Sequence, residues 1–207
     1  MPTRQGRRDL KQRTGHVPKG FNITDRVRAI CADISQHVPE LAHIDVNRIG
    51  FAFAQTRKAV MHGMQASLTP LRFEDGSLTG EYRGRPMRVQ RVFDNDGREM
   101  LYIYTVYLPR FTNLDFREKL ITIFHELWHI SPEFNGDLRR HSGRCYAHSH
   151  SQSEYDAHMA VLADRWLKLQ PPEELFEFLR LDFAAIEQRY GRVFGMRIAR
   201  PRLLPIS

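Results

Sequence analysis

Residues Asp115 to Ile130 read DFREKLITIFHELWHI and end in His125-Glu126-Leu127-Trp128-His129. The order H-E-x-x-H places two imidazoles four residues apart. On an α-helix such positions lie one above the other at about 6 Å, so both side chains can turn toward a single ion. Glu126 projects beside that ion, where it can take a proton from a water whose pKa the metal has lowered. Asp115 and Glu118 have the spacing of a capping box, with Asp in the role usually played by Ser or Thr. Phe116, Leu120, Ile121, Phe124, Leu127 and Trp128 recur at the helical period, and Pro132 stops the helix just after the second histidine. Ten histidines make a chance occurrence of the motif a real risk. A capped amphipathic helix around it lowers that risk, because a Glu between two core histidines has no packing role.

The chain has 207 residues and 42% hydrophobic content, which suits one domain with a substantial core. It lacks a run of apolar residues long enough to span a bilayer, and its first twenty residues lack an apolar signal region, so a cytoplasmic protein without a membrane partner is expected. Two cysteines, Cys31 and Cys145, lie far apart and do not form a disulfide framework. The net charge of +7 sits at the ends: residues 1–20 carry +5, residues 192–207 carry +4, and the body between them −2. The expected organisation is therefore a basic N-terminal arm (1–20), a catalytic domain (21–191) and a basic C-terminal tail (192–207). The two arms are able to touch nucleic acid, though solvated tails are the plainer reading.

Phe21 to Val38 is expected to form an amphipathic helix capped by Asn22 or Thr24, with Val27, Ile30, Cys31, Ile34 and Val38 on its apolar side. Ile44–Phe53 alternates as a strand, with Gly50 marking a bulge or a close backbone approach. Met87–Phe93 and Glu99–Tyr107 flank Asp94-Asn95-Asp96-Gly97 and read as an antiparallel hairpin. Its second strand, apolar on both sides, is expected to lie under the histidine helix near a sheet edge that can receive an extended peptide. Ser151–Leu167 reads as a second amphipathic helix with Tyr155, Met159, Leu162, Ala163 and Trp166 buried, and 174–190 as a third.

A hydrolytic zinc needs three protein ligands and an open fourth position. Asn135 stands where a metzincin would have its third histidine, which excludes that class. The candidates are His141, Cys145, His148, His150 and Glu154. His148, just before the second helix, fits best, His141 nearly as well, and Glu154 ranks third. Asp137, Asp156 or Asp164 can accept the other ring N–H of a ligating histidine, and Tyr146 or Tyr155 can donate to a developing oxyanion.

The segment FHELWHISPEFNGDLRRHSGRCYAHSHSQSEYDAHM resembles the phage-type metallopeptidases, a prokaryotic group related to the SprT-like zincins; its specific parts are the H-E-x-x-H helix, G-D-L-R-R and Y-A-H. The resemblance covers roughly residues 40–167. It implies a compact zincin-like α+β domain with a small, mostly antiparallel sheet packed on the active-site helix. It further implies Zn²⁺ on His125 and His129, Glu126 as general base, a protein or peptide substrate, and a downstream histidine as third ligand, with His148 and His141 both eligible. The competing class is a non-enzymatic zinc-stabilised module that binds nucleic acid through its basic arms.

Overall fold

The computed structural model describes residues 19–56, 63–140 and 152–206, with side chains in the last stretch described from Tyr155 onward. In chain order the elements are β1 (Phe21–Asn22), α1 (Ile23–His37), β2 (Ile49–Gln55), β3 (Ala66–Pro70), β4 (Thr79–Tyr82), β5 (Arg85–Val89), β6 (Val92–Phe93), β7 (Glu99–Met100), β8 (Tyr102–Leu108), α2 (Phe116–Trp128), α3 (Gln152–Lys168), α4 (Glu173–Phe176), α5 (Phe183–Tyr190), β9 (Val193–Phe194) and β10 (Leu203–Pro205). The fold is α+β with small, mostly antiparallel sheets.

The central sheet has the order β2-β8-β3, β8 running parallel to β2 and antiparallel to β3. Tyr102, Tyr104, Val106 and Leu108 of β8 face the main core, where they meet α1 and α2; Ile103, on the other face, packs with Ala52, Leu71, Val89 and Met100. A strand that must bury both faces belongs in the middle of a sheet, and this corrects the expected hairpin. The turn at 94–97 does form, with Asp94 Oδ1 accepting from the N–H groups of Asp96 and Arg98. The pairing it closes is only Val92 with Met100 and Phe93 with Glu99. Beyond those pairs β5 takes β4 and β10 as neighbours, while β8 inserts between β2 and β3.

The first strand also starts later than expected. Asp45 caps a 3₁₀ turn at Val46–Arg48, and only from Ile49 does the chain extend. Gly50 marks a close approach: a Cβ there would stand 2.7 Å from Ile198 Cδ1. Asn22 caps α1 by accepting from the Asp25 N–H, and Cys31 is a fully buried thiol on its core side. The expected third helix is broken, because Asp182 accepts from the Ala185 N–H and starts α5 afresh. In that break the buried Lys119 donates to the carbonyls of Leu179 and Leu181, at 2.9 and 2.7 Å; burial lowers its pKa to about 8.

Residues 192–206, read as a tail, are laid along the body. β9 pairs with β1, Met196 accepts from Phe53 N–H and donates to Thr24 Oγ1, and β10 pairs with β5. Ile198 and Leu203 supply the apolar contacts that hold this strap down. Among the described residues no helix is long and apolar enough to cross a membrane.

Glu99 joins the hairpin to the rest: its carboxylate accepts from Arg91 and from Arg72, at 2.7 and 2.6 Å. Arg91 first, and Arg72 with it, hold the Glu99 carboxyl down to about 2. A carboxyl depressed by folding stabilises the protein above its unfolded pKa and loses that contribution as pH falls toward its folded pKa. Glu99→Gln is expected to lower stability at pH 7 by up to about 3 kcal/mol. Urea unfolding at several pH values should show that difference shrinking between pH 5 and pH 2; a gap independent of pH would contradict the assignment.

Candidate active site

The site is built on α2. The capping box is complete: Glu118 N–H donates to Asp115 Oδ1 at 2.7 Å and Asp115 N–H donates to Glu118 Oε2 at 3.1 Å. Leu120, Ile123, Phe124 and Leu127 are buried, so the helix cannot rotate without exposing the core. Ile121 packs against that core but also borders a cleft, and Ile123 joins the fully buried set.

α2 ends with His129 as its C-cap. The rings of His125 and His129 stand 4.7 Å apart between centroids at 82° to each other, so the two imidazoles are direct neighbours. Glu126 is 8% exposed. Burial pushes its carboxyl up to about 7, against the opposing effect of the Leu68 backbone N–H. Leu68 belongs to β3, the edge strand on this side. Tyr107 N–H donates to Gln65 O, so in the antiparallel register the backbone groups of Ala66 and Leu68 point away from β8, to the open edge. A cleft of ≈350 Å³ runs between that edge and the helix, with Gln65 and Ala66 on one side and Glu118, Ile121, His125 and Glu126 on the other.

α3 lies against α2 and closes the cleft's far wall. Tyr155 packs its ring on both histidines, at 4.7 Å from His125 and 5.9 Å from His129; burial drives its phenol pKa upward. Asp156 Oδ1 lies 3.6 Å from His125 Nδ1. Of the three carboxylates considered from sequence, it is the one the fold brings to a histidine. Asp137 is held by Arg140 and the Leu138 N–H, and Asp164 by Arg117.

The G-D-L-R-R stretch works as a clamp beyond the helix. Arg139 N–H donates to His129 O at 2.7 Å, its Nε donates to Trp128 O, and its guanidinium lies 4.0 Å over the Trp128 ring. Gly136 has φ +90°, and a Cβ there would stand 2.5 Å from Arg72 Cγ, so glycine is required. The buried Tyr102 hydroxyl donates to Asp137 O at 2.8 Å and accepts from Gly136 N–H at 3.0 Å, fastening this turn to β8.

His62, His141, Cys145, Tyr146, His148, His150 and the side chain of Glu154 lie outside what the structure describes. Among the described residues no group of three His, Cys, Asp or Glu side chains is placed to hold a metal. The two histidines and the buried carboxyl beside them are nonetheless residue types that suit a divalent ion: two neighbouring imidazoles, with an acid whose ionised form a nearby cation would favour. Sequence reading missed two contributors to the cleft, β3 and Leu114, and the Tyr102 clamp beyond it. The alternation Ala66-Ser67-Leu68-Thr69 carried the signal for the strand; the clamp, which spans 35 residues, has no local signature.

The family described as "Putative phage metallopeptidase" matches residues 20–152, well over half of the chain. Comparison with curated proteins and with solved structures finds no match.

Tyr102→Phe is expected to cost about 1–3 kcal/mol, because it leaves the buried Gly136 N–H without its partner and the Asp137 carbonyl with the Ser131 N–H alone. Thermal unfolding measures the loss directly. An unchanged Tm would mean that the hydroxyl does not hold the turn.

Proposed function

Because the chain belongs to the phage metallopeptidase family, we propose that it is a zinc-dependent peptidase of zincin type whose working groups are His125, Glu126 and His129. The observation that carries this reading is the pair of neighbouring imidazoles on one helix with a buried carboxyl between them in sequence, beside the outer edge of β3. His125 and His129 would hold the metal. His148, or His141 in its place, would complete the set: His148 precedes α3 by four residues, and His141 follows Arg139, which is bonded to the His129 carbonyl. Zinc, when bound, supplies Lewis-acid activation of a water and of a peptide carbonyl.

The protein's own groups do the rest. The open edge of β3 takes an extended peptide by main-chain hydrogen bonds, which suits a substrate defined by its backbone more than by its side chains. One substrate side chain enters the ≈350 Å³ cleft over Ile121, where Glu118 and Asp156 favour a polar or basic group. Glu126, shielded from bulk water, takes the proton of the attacking water and passes it to the leaving amide nitrogen. Asp156, whose Oδ1 lies 3.6 Å from His125 Nδ1, would favour a proton on that nitrogen and so leave the other ring nitrogen for the metal. The Tyr155 hydroxyl, on a ring held against both histidines, would donate to the developing oxyanion. The catalytic unit is the 21–191 region, with the basic ends outside the chemistry.

Glu126→Gln is expected to slow peptide cleavage by about 10²–10⁴-fold while zinc content and Tm stay near wild type. His125→Ala is expected to lose the metal. In parallel, metal analysis of His148→Ala and His141→Ala should show zinc lost from one and kept by the other, which names the third ligand. Cleavage by Glu126→Gln at the wild-type rate, with normal zinc, would sink the mechanism.

A further inference from the structure

The central sheet has a second edge, along β2, on the side away from the cleft. Thr56 N–H donates to Leu108 O, which sets the parallel register so that Gly50, Ala52 and Ala54 bond toward β8. Ile49, Phe51 and Phe53 then present their backbone groups outward. Two of those groups are used within the chain: Ile49 N–H donates to Val46 O and Phe53 N–H to Met196 O. After Met196 the strap leaves the edge, because Ile198 crosses onto Gly50.

Phe51 is thereby left with its N–H and C=O turned outward and no partner among the described residues, although the residue is only 6% exposed. Buried backbone polar groups without partners are rare and costly. These open into a groove of ≈500 Å³, floored by Ile49, Phe51, Met100 and Ile198 and walled by the start of α1 and by the β6–β7 hairpin. Apolar floor, directional main-chain groups and a length of open strand together match one kind of ligand.

We propose that this groove is a second peptide site, where an extended segment of a substrate polypeptide adds as a strand to β2. It continues toward Ile49 the pairing that Met196 already makes at Phe53, with its main chain on Phe51 and alternate apolar side chains on Met100 and Ile198. The identification of the segment as part of a substrate rests on the peptidase reading. Strands added at both edges of a three-stranded sheet lie four strand spacings, about 19 Å, apart. Only a long unfolded chain can occupy both sites, and such a chain gains from bivalent binding what a short peptide cannot.

The test uses the full chain carrying Glu126→Gln, so that ligand is bound and not cut, titrated with reduced, carboxymethylated lactalbumin as a permanently unfolded probe. Ala199→Trp and, on the opposite wall, Asn95→Trp are exposed groove positions outside the cleft; either is expected to weaken binding at least about fivefold without lowering Tm. Hydrogen exchange at the Phe51 amide should slow on adding the probe. In the active protein the same substitutions should slow cleavage of the unfolded protein and leave turnover of a short fluorogenic peptide unchanged. Undiminished binding by both variants, or a Phe51 amide indifferent to the probe, would overturn the proposal. So would a Phe51 amide already protected without probe and released by deleting residues 1–18, which would make the arm the occupant. If the protein cuts nothing, the peptidase reading fails by itself, and the Phe51 amide still decides the groove.

Discussion

A carboxyl group with almost no access to water is costly to keep ionised, and Glu126 is such a group. The surrounding structure shows how the fold holds it there. α2 cannot turn the carboxyl out to solvent, because Leu120, Ile123, Phe124 and Leu127 hold the helix against the core. The capping box fixes where that helix begins, and the Tyr102–Gly136–Asp137 clamp fixes how the chain leaves it. Between these two anchors His125, Glu126 and His129 have little freedom, which is what a site needs if its groups are to meet a reacting atom without reorganising.

The central sheet contributes through its narrowness. With β8 buried on both faces, β2 and β3 are both edges, and both keep main-chain groups turned outward. Small proteins normally blunt such edges, since an open one invites pairing with other chains. Here α2 lies beneath one edge and the C-terminal strap crosses the other at Phe53, so each is partly covered and partly open. That arrangement permits strand pairing at defined places while limiting its length.

Local chemistry was readable from the sequence wherever the determining residues are close together. Asp115 and Glu118 announce the start of α2, Asn22 that of α1, and Asp94 to Gly97 the hairpin turn. The buried positions of α3, from Met159 to Trp166, follow their periodicity. What escaped was set by distant partners. The YIYTVYL strand reads equally as a hairpin arm or as a central strand, and only the availability of β2 and β3 decides. Leu175 to Ile186 has one helical period throughout, but Asp182 finds a cap and Lys119 finds carbonyls in the gap, so the helix divides. The strap carries four arginines in residues 192–202, and charge drew attention away from the Ile198 and Leu203 side chains that anchor it. At the candidate site the helix motif named its own residues, whereas His141 and His148 stand in a polar stretch with no periodicity to rank one above the other.

The strap also bears on the order of events at the ribosome. Met196 meets Thr24 across 172 residues of chain, and β9 is the partner of β1. Every element around the cleft is synthesised before residue 192, yet β1 has no partner strand until Val193 and Phe194 have left the exit tunnel. Translation therefore delivers the helices and the central sheet before the segment that closes the molecule, so the core can collapse ahead of that closure.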